Sequence, residues 1–193
     1  MRIGLFGGTF DPVHLGHLRA AETAREALEL DLVAFLPSAV PPHRSAPLST
    51  PEDRLAMTRL AVAAHGSFAA WDTELRRPGP SYTVDTVAAL VDERPHDSLL
   101  LLVGADTWPE MTQWREPERL FALVEIAVAE RPGSPVGSLT SPFPGTRGLH
   151  RVCGPSLPIS ASAVREHVRS GRSVRYLVPD AVADYIAARR LYA

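Results

Sequence analysis

The chain has 193 residues, 45% of them hydrophobic, with a formal net charge of −2 and a single cysteine. That length supports one sizeable core, and the charge supplies no basic field for a nucleic-acid partner. Lone Cys153 excludes an internal disulfide framework and fits a reducing cytoplasm, and no apolar run is long enough to cross a bilayer.

Residues 2–6 (RIGLF) read as a buried strand ended by Gly7 and Gly8, so no leader peptide is expected ahead of it. From Leu15 the apolar period becomes helical, with Leu18, Ala21, Ala24 and Leu28 on one face. The two glycines allow close approach to a ligand, and the helix start beyond them offers unpaired N–H groups and the positive end of a dipole, an anion site. His14 and His17, three residues apart, project from one side of the first turn. The glycine spacing matches neither GxGxxG nor GxxxxGK[ST], and no third or fourth ligand completes a zinc site.

A second strand is expected at residues 32–36, followed by a proline-rich loop, residues 38–50, that holds His43 and Arg44. Thr50, Pro51 and Asp53 form a helix start, and Leu55, Met57, Leu60 and Val62 give that helix its apolar surface. A weak strand at residues 68–71 leads to a helix carrying Val84, Val87, Leu90 and Val91, with Ser81 or Thr83 as its cap. Residues 98–103 (SLLLLV) are the most apolar strand, and Gly104 and Asp106 sit past its carboxyl end, where open parallel sheets bind ligands. Trp114 precedes a short helix, residues 125–129 form another strand, and residues 133–148 read as a flexible loop or lid. In residues 159–165 (ISASAVR), Ser160 or Ser162 can cap a helix with Arg165 one turn in, placed to meet an anion; a final helix starts at Pro179 and packs Val182, Tyr185 and Ile186 inward. Cys153 reads as a small buried or neutral thiol. Strands alternating with helices throughout predict a doubly wound, mostly parallel α/β sheet in a single domain spanning residues 1–193.

Several motifs occur in order: GGTFDPVHLGH (residues 7–17), PPHR (41–44), SYTVDT (81–86), GAD (104–106), Trp114, RPG (131–133), ISASAVR (159–165) and YLVPDAVADYI (176–186). The first resembles the HxGH signature of the nucleotidylyltransferase superfamily, and the full set is similar to the bacterial nicotinate mononucleotide adenylyltransferases. Arg44 stands where that family usually has lysine, and Ser162 where threonine is common. The resemblance implies a Rossmann-like fold and adenylyl transfer from ATP to nicotinate mononucleotide in NAD biosynthesis, with release of pyrophosphate. It implies His14, His17 and Arg165 as catalytic residues. An ATP site would comprise Gly7, Gly8, Thr9, Phe10, His17, Arg44, Gly104, Asp106, Ile159, Ser162 and Arg165. Tyr82, Thr83 and Trp114 would meet the pyridine nucleotide, with Mg²⁺ carried in on ATP and no metal ligands from the chain. No membrane or nucleic-acid partner is expected, and a homo-oligomer is compatible with the sequence. Because a phosphate monoester is already ionised at neutral pH, the nucleophile needs no general base, and catalysis reduces to positioning and charge neutralisation.

Overall fold

In the computed structural model the described residues are 1–41, 47–130, 139–155 and 157–193. Their strands are β1 (Arg2–Gly8), β2 (Leu32–Pro37), β3 (Phe68–Ala70), β4 (Ser98–Gly104), β5 (Glu125–Ala129) and β6 (Leu149–Val152). They form one six-stranded sheet in the order β3-β2-β1-β4-β5-β6. Every pairing is parallel, as in Ile3 with Leu32 and Leu99, so the expected mostly parallel sheet is wholly parallel. The chain order reverses direction between β1 and β4, which opens a crevice at the carboxyl ends of those two strands.

Alternation along the strands sends side chains to two cores. Ile3, Leu5, Leu99 and Leu101 point to one face with Val84, Val87 and Leu90 of α3 (Thr83–Glu93) and Leu120 and Phe121 of α4 (Pro117–Leu123). Leu100 and Leu102 point to the other, shared with Ala21 and Ala24 of α1 (Leu15–Ala27) and Met57 and Val62 of α2 (Pro51–Val62). Val164 of α5 (Ala161–Arg169) and Val182 and Ile186 of α6 (Asp180–Arg189) join that second core. Both faces of the sheet are thus covered, which is why β4 reads as an uninterrupted apolar run.

Several local expectations are corrected. Strand β6 is absent from the sequence reading because its four residues, LHRV, include half-buried His150 and exposed Arg151 and show no apolar run; as the edge strand it pairs on one side only. A 3₁₀ turn (Trp108–Gln113) also went unpredicted. Leu60 is exposed, and α2 presents Leu55, Met57 and Val62 inward instead. Neither Ser81 nor Thr83 caps α3. Its N-cap is Tyr82, without a side-chain cap, while the Ser81 hydroxyl accepts hydrogen bonds from the Ala39 and Val40 amides at 2.9 and 3.3 Å. Cys153 is exposed rather than buried; the Glu130 carboxylate beside it raises the thiol pKa and keeps it neutral. Of the loop expected at 133–148, residues 133–138 lie outside the described residues. Its later part packs Leu139 and Phe143 on the core, with the Phe143 ring 5.2 Å from that of Phe121, so this part is not a free lid.

Candidate active site

The crevice at the carboxyl end of β1 has a volume of about 840 Å³, within the range of small-molecule sites. Gly7, Gly8, Thr9, Phe10, His14 and His17 line it from the β1–α1 connection, and Ser162 and Arg165 from α5. Gly104 and Asp106 join from beyond β4, Tyr82, Thr83 and Trp114 from the opposite wall, and Ile159 from the segment before α5. Every sequence-predicted site residue among the described ones therefore reaches one cavity. Arg44, with His43, lies outside the described residues.

The two histidines build the start of α1 themselves. His14 is the N-cap, in extended backbone, and its Nδ1 accepts from the His17 amide at 3.3 Å. His17, at the third helical position, returns the favour from its own Nδ1 to the His14 amide at 3.2 Å, closing a capping box. The rings stack with centroids 3.6 Å apart and planes 20° from parallel. An Nδ1 that accepts carries no proton, so a neutral ring bears it on Nε2. Gly16 between them is closely enclosed: a Cβ there would stand 3.0 Å from the His14 Nδ1 and 3.3 Å from the Leu157 carbonyl oxygen, so those neighbours would have to give by a few tenths of an ångström. Phe10, in the left-handed region at φ 49°, sets its ring 5.1 Å from that of His17. A Cβ on Gly8 would come within 2.9 Å of that Phe10 ring, so the turn needs glycine there.

Ser160, not Ser162, caps α5, accepting from the Ala163 amide at 3.2 Å; the Ser162 hydroxyl lies 3.0 Å from that of Ser160 at the cavity edge. Arg165 reaches back across the site and donates from Nη1 to the Asp11 carbonyl at 2.7 Å. One guanidinium thus joins the second helix start to the first loop. Asp11 is also a hub through its carboxylate, which accepts from the Leu48 amide at 2.8 Å, the Ser49 amide at 3.3 Å, the Ser49 hydroxyl and the Tyr192 hydroxyl at 2.7 Å. Burial and the Asp11 contact push the Tyr192 phenol far above its usual range, so it stays a donor. Fully buried Arg54 donates to the Thr9 carbonyl at 2.8 Å and the Ala39 carbonyl at 3.1 Å, and so holds the same loop from α2.

Across the cavity, Arg115 lies 4.7 Å over the Tyr82 ring and ion-pairs with Asp85 at 3.7 Å. Below that wall sits Glu74, 7% exposed, with Oε1 3.0 Å from the Thr86 hydroxyl. Burial raises its carboxyl to about 7, against the lowering effect of hydrogen bonds from Thr86 and Ser81 and of the charges on Arg77 and Arg54. Asp11, Ser49, Arg54, Glu74, Arg115 and Tyr192 all escaped the sequence reading as site residues. Only Asp11 had a signal, its place inside GGTFDP; the others come from loops and helices with no spacing relation to the motif. Beside the main crevice a smaller recess of about 260 Å³ runs along α1 from Gly16, with Gly104, Leu157 and Ile159 in its walls. Among the described residues no group of three or more His, Cys, Asp or Glu side chains is placed to hold a metal ion.

An all-parallel sheet in this order, with an HxGH helix start at its switch point and an arginine-bearing helix start facing it, defines a nucleotide-binding α/β protein of the nucleotidyl-transferring type. The model of the cytidylyltransferase-like family matches residues 5–167. A protein of Thermus thermophilus named "Probable nicotinate-nucleotide adenylyltransferase" is 45% identical over 192 residues, covering all of both chains. One of Geobacter sulfurreducens with the same name is 41% identical over 213 residues, covering 100% of this chain and 99% of the relative. The solved Plasmodium falciparum nicotinic acid mononucleotide adenylyltransferase complexed with NaAD superposes with a TM-score of 0.83 at 17% identity, over 99% of this chain and 97% of that one, and shares the fold. The chain belongs to the cytidylyltransferase-like family and, within it, to the family of these nicotinate-nucleotide adenylyltransferases.

Proposed function

We propose that this chain transfers the adenylyl group of ATP to nicotinate mononucleotide. The 5′-phosphate oxygen of the mononucleotide attacks the α-phosphorus of ATP, the bond to the bridging oxygen of the β-phosphate breaks, and pyrophosphate leaves. Nicotinate adenine dinucleotide remains. The observation that carries the reading is the convergence of two helix starts, His14 and His17 on α1 and Ser162 and Arg165 on α5, on one cavity whose far wall is Tyr82, Thr83 and Trp114. Its full-length likeness to the nicotinate-nucleotide adenylyltransferases supports the choice of substrate.

The roles follow from the chemistry of the groups. His14 and His17 offer Nε2–H donors, and the amides of the α1 start add partial positive charge, so charge building on the transferring phosphate meets fixed dipoles. Arg165 meets the leaving phosphates with a planar fork, joined by Ser162 and Arg44. Gly7, Gly8, Thr9 and Phe10 flank the triphosphate and ribose, Asp106 takes a ribose hydroxyl, and the recess beside Gly16, Gly104 and Ile159 takes the adenine. Trp114 offers a flat apolar face to the pyridine, and the uncapped amides of the Tyr82–Thr83 turn receive the nicotinate carboxylate. Mg²⁺ arrives as part of the ATP substrate, its donor oxygens being mainly those of the phosphates. The 193 residues act as one nucleotidylyltransferase domain, since Val164, Val182 and Ile186 of the last two helices share a core with Phe10 and Val13 of the phosphate loop. No helix of the described residues is long and apolar enough to cross a membrane.

Incubation with ATP, Mg²⁺ and nicotinate mononucleotide should release pyrophosphate, and faster than with the amide mononucleotide. No release with either, from folded protein that binds ATP, would leave a nucleotide-binding protein without this activity. Release confined to phosphopantetheine would move the chain to another adenylyltransferase of the superfamily.

A further inference from the structure

Among the described residues two buried carboxyls line the cavity: Asp11, which anchors the phosphate loop, and Glu74, which adenylyl transfer leaves without a task. Glu74 sits directly behind the turn assigned to the pyridine carboxylate. Its Oε1 holds the Thr86 hydroxyl at 3.0 Å, and that hydroxyl lies 3.4 Å from the Tyr82 carbonyl oxygen. Arg77 ties the same group together, with Nη2 at 2.9 Å from the Thr86 hydroxyl and 3.4 Å from the Tyr82 carbonyl oxygen. Glu74, Tyr82, Thr83 and Trp114 line the same cavity. An incoming carboxylate therefore enters a cavity whose wall already holds a carboxyl group with little access to water, and two like charges brought together there cannot both stay ionised without a penalty.

We propose that Glu74 is a specificity-determining residue: a pyridine mononucleotide bearing a carboxylate binds with uptake of a proton at Glu74, whereas one bearing a neutral amide binds without it. This rests on the reading of the site given above. The neutral glutamic acid removes the repulsion and still donates or accepts in its network with Thr86 and Ser81. Burial raises the carboxyl to about 7, so the proton is exchangeable near neutrality and substrate need only complete the shift.

The surrounding charges do not cancel the effect. Arg77 and Arg54 face Glu74 from the turn that follows it and from α2, and both favour its ionised form. Both keep their positive charge while donating to the Thr9 and Ala39 carbonyls and to Thr86 and Tyr82, and the burial of Glu74 outweighs them, leaving its carboxyl raised to about 7. On α3, Asp85 is taken up by Arg115 across the Tyr82 ring. Glu110, from the 3₁₀ turn, Asp106, from beyond β4, and Asp11, from the phosphate loop, are the further acids that line the same cavity among the described residues.

The test is calorimetric titration of the full-length protein with the acid and the amide mononucleotide, each in buffers of different ionisation enthalpy, at pH 6 to 8.5. Both ligands carry the same 5′-phosphate, so the difference in protons taken up isolates the pyridine substituent. The expected result is a positive difference that approaches one proton above neutrality. The affinity ratio of acid to amide should fall about tenfold per pH unit there. In Glu74→Gln the difference should vanish and the ratio should become independent of pH. Equal proton uptake for the two ligands in the wild-type protein, or a difference that persists in Glu74→Gln, overturns the proposal. The wild-type comparison decides alone if that variant does not fold. Failure of both mononucleotides to bind would instead refute the functional reading on which the proposal stands.

Discussion

The hub at Asp11 gives the sharpest prediction about how the phosphate loop is held. In Tyr192→Phe the ring keeps its packing, because Tyr192 is only 9% exposed and belongs to the core beside α6. What is lost is the 2.7 Å hydrogen bond to the Asp11 carboxylate and the 3.2 Å contact with the Ser49 hydroxyl. Hydrogen bonds to charged groups contribute about 1.5–3 kcal/mol. Asp11 retains the Leu48 amide and both Ser49 donors, so about 2 kcal/mol is expected. For a chain of this size that is a fall in Tm of about 4–8 °C. Turnover should also fall, by a factor of about three to ten, because the loop that Asp11 anchors also receives Arg165 on its carbonyl. Differential scanning calorimetry and steady-state pyrophosphate release read the two effects on the same preparation. A Tm within about one degree of the parent's would show that the hub contributes no stability and refute the reasoning.

His17→Ala should lower kcat about 10²–10³-fold, since it removes a donor aimed at charge that develops only in the transition state. The lost half of the capping box should cost about 1 kcal/mol of stability, so circular dichroism should show folded protein, and near-normal turnover in it would remove His17 from the mechanism. Trp114→Ala should raise KM for the pyridine mononucleotide about tenfold with little change for ATP, and a change confined to ATP would contradict the stacking role. Burial alone would raise the Asp53 carboxyl, but hydrogen bonds from Tyr185 at 2.8 Å and Thr50 at 2.8 Å, and Arg189 at 3.3 Å, outweigh it and hold the folded-state pKa below the usual value. The stability it contributes is therefore present above the unfolded-state pKa of about 3.9 and lost as pH falls through the folded value. Urea midpoints of the parent and Asp53→Asn should converge as pH drops from about 5 toward 2; a gap that stays constant over that window would detach Asp53 from acid sensitivity.

The amino-acid order by itself determined the strand-and-helix alternation and the starts of α1, α2 and α6, and it singled out residues 7–17 and 159–165 as the candidate phosphate-handling segments. These are local properties: a period of two or 3.6, a capping hydroxyl, a proline at the first helical position. Only the tertiary structure decided the order of the strands, the place of β6 at the edge, and the convergence of His17 with Arg165 and Trp114. It alone brought Tyr192 to Asp11 across 181 residues and Glu74 beneath Thr86. The reason is that loop closure joins positions without regard to their spacing, and a carboxyl becomes consequential only when packing strips its water. No residue type announces either event in the sequence.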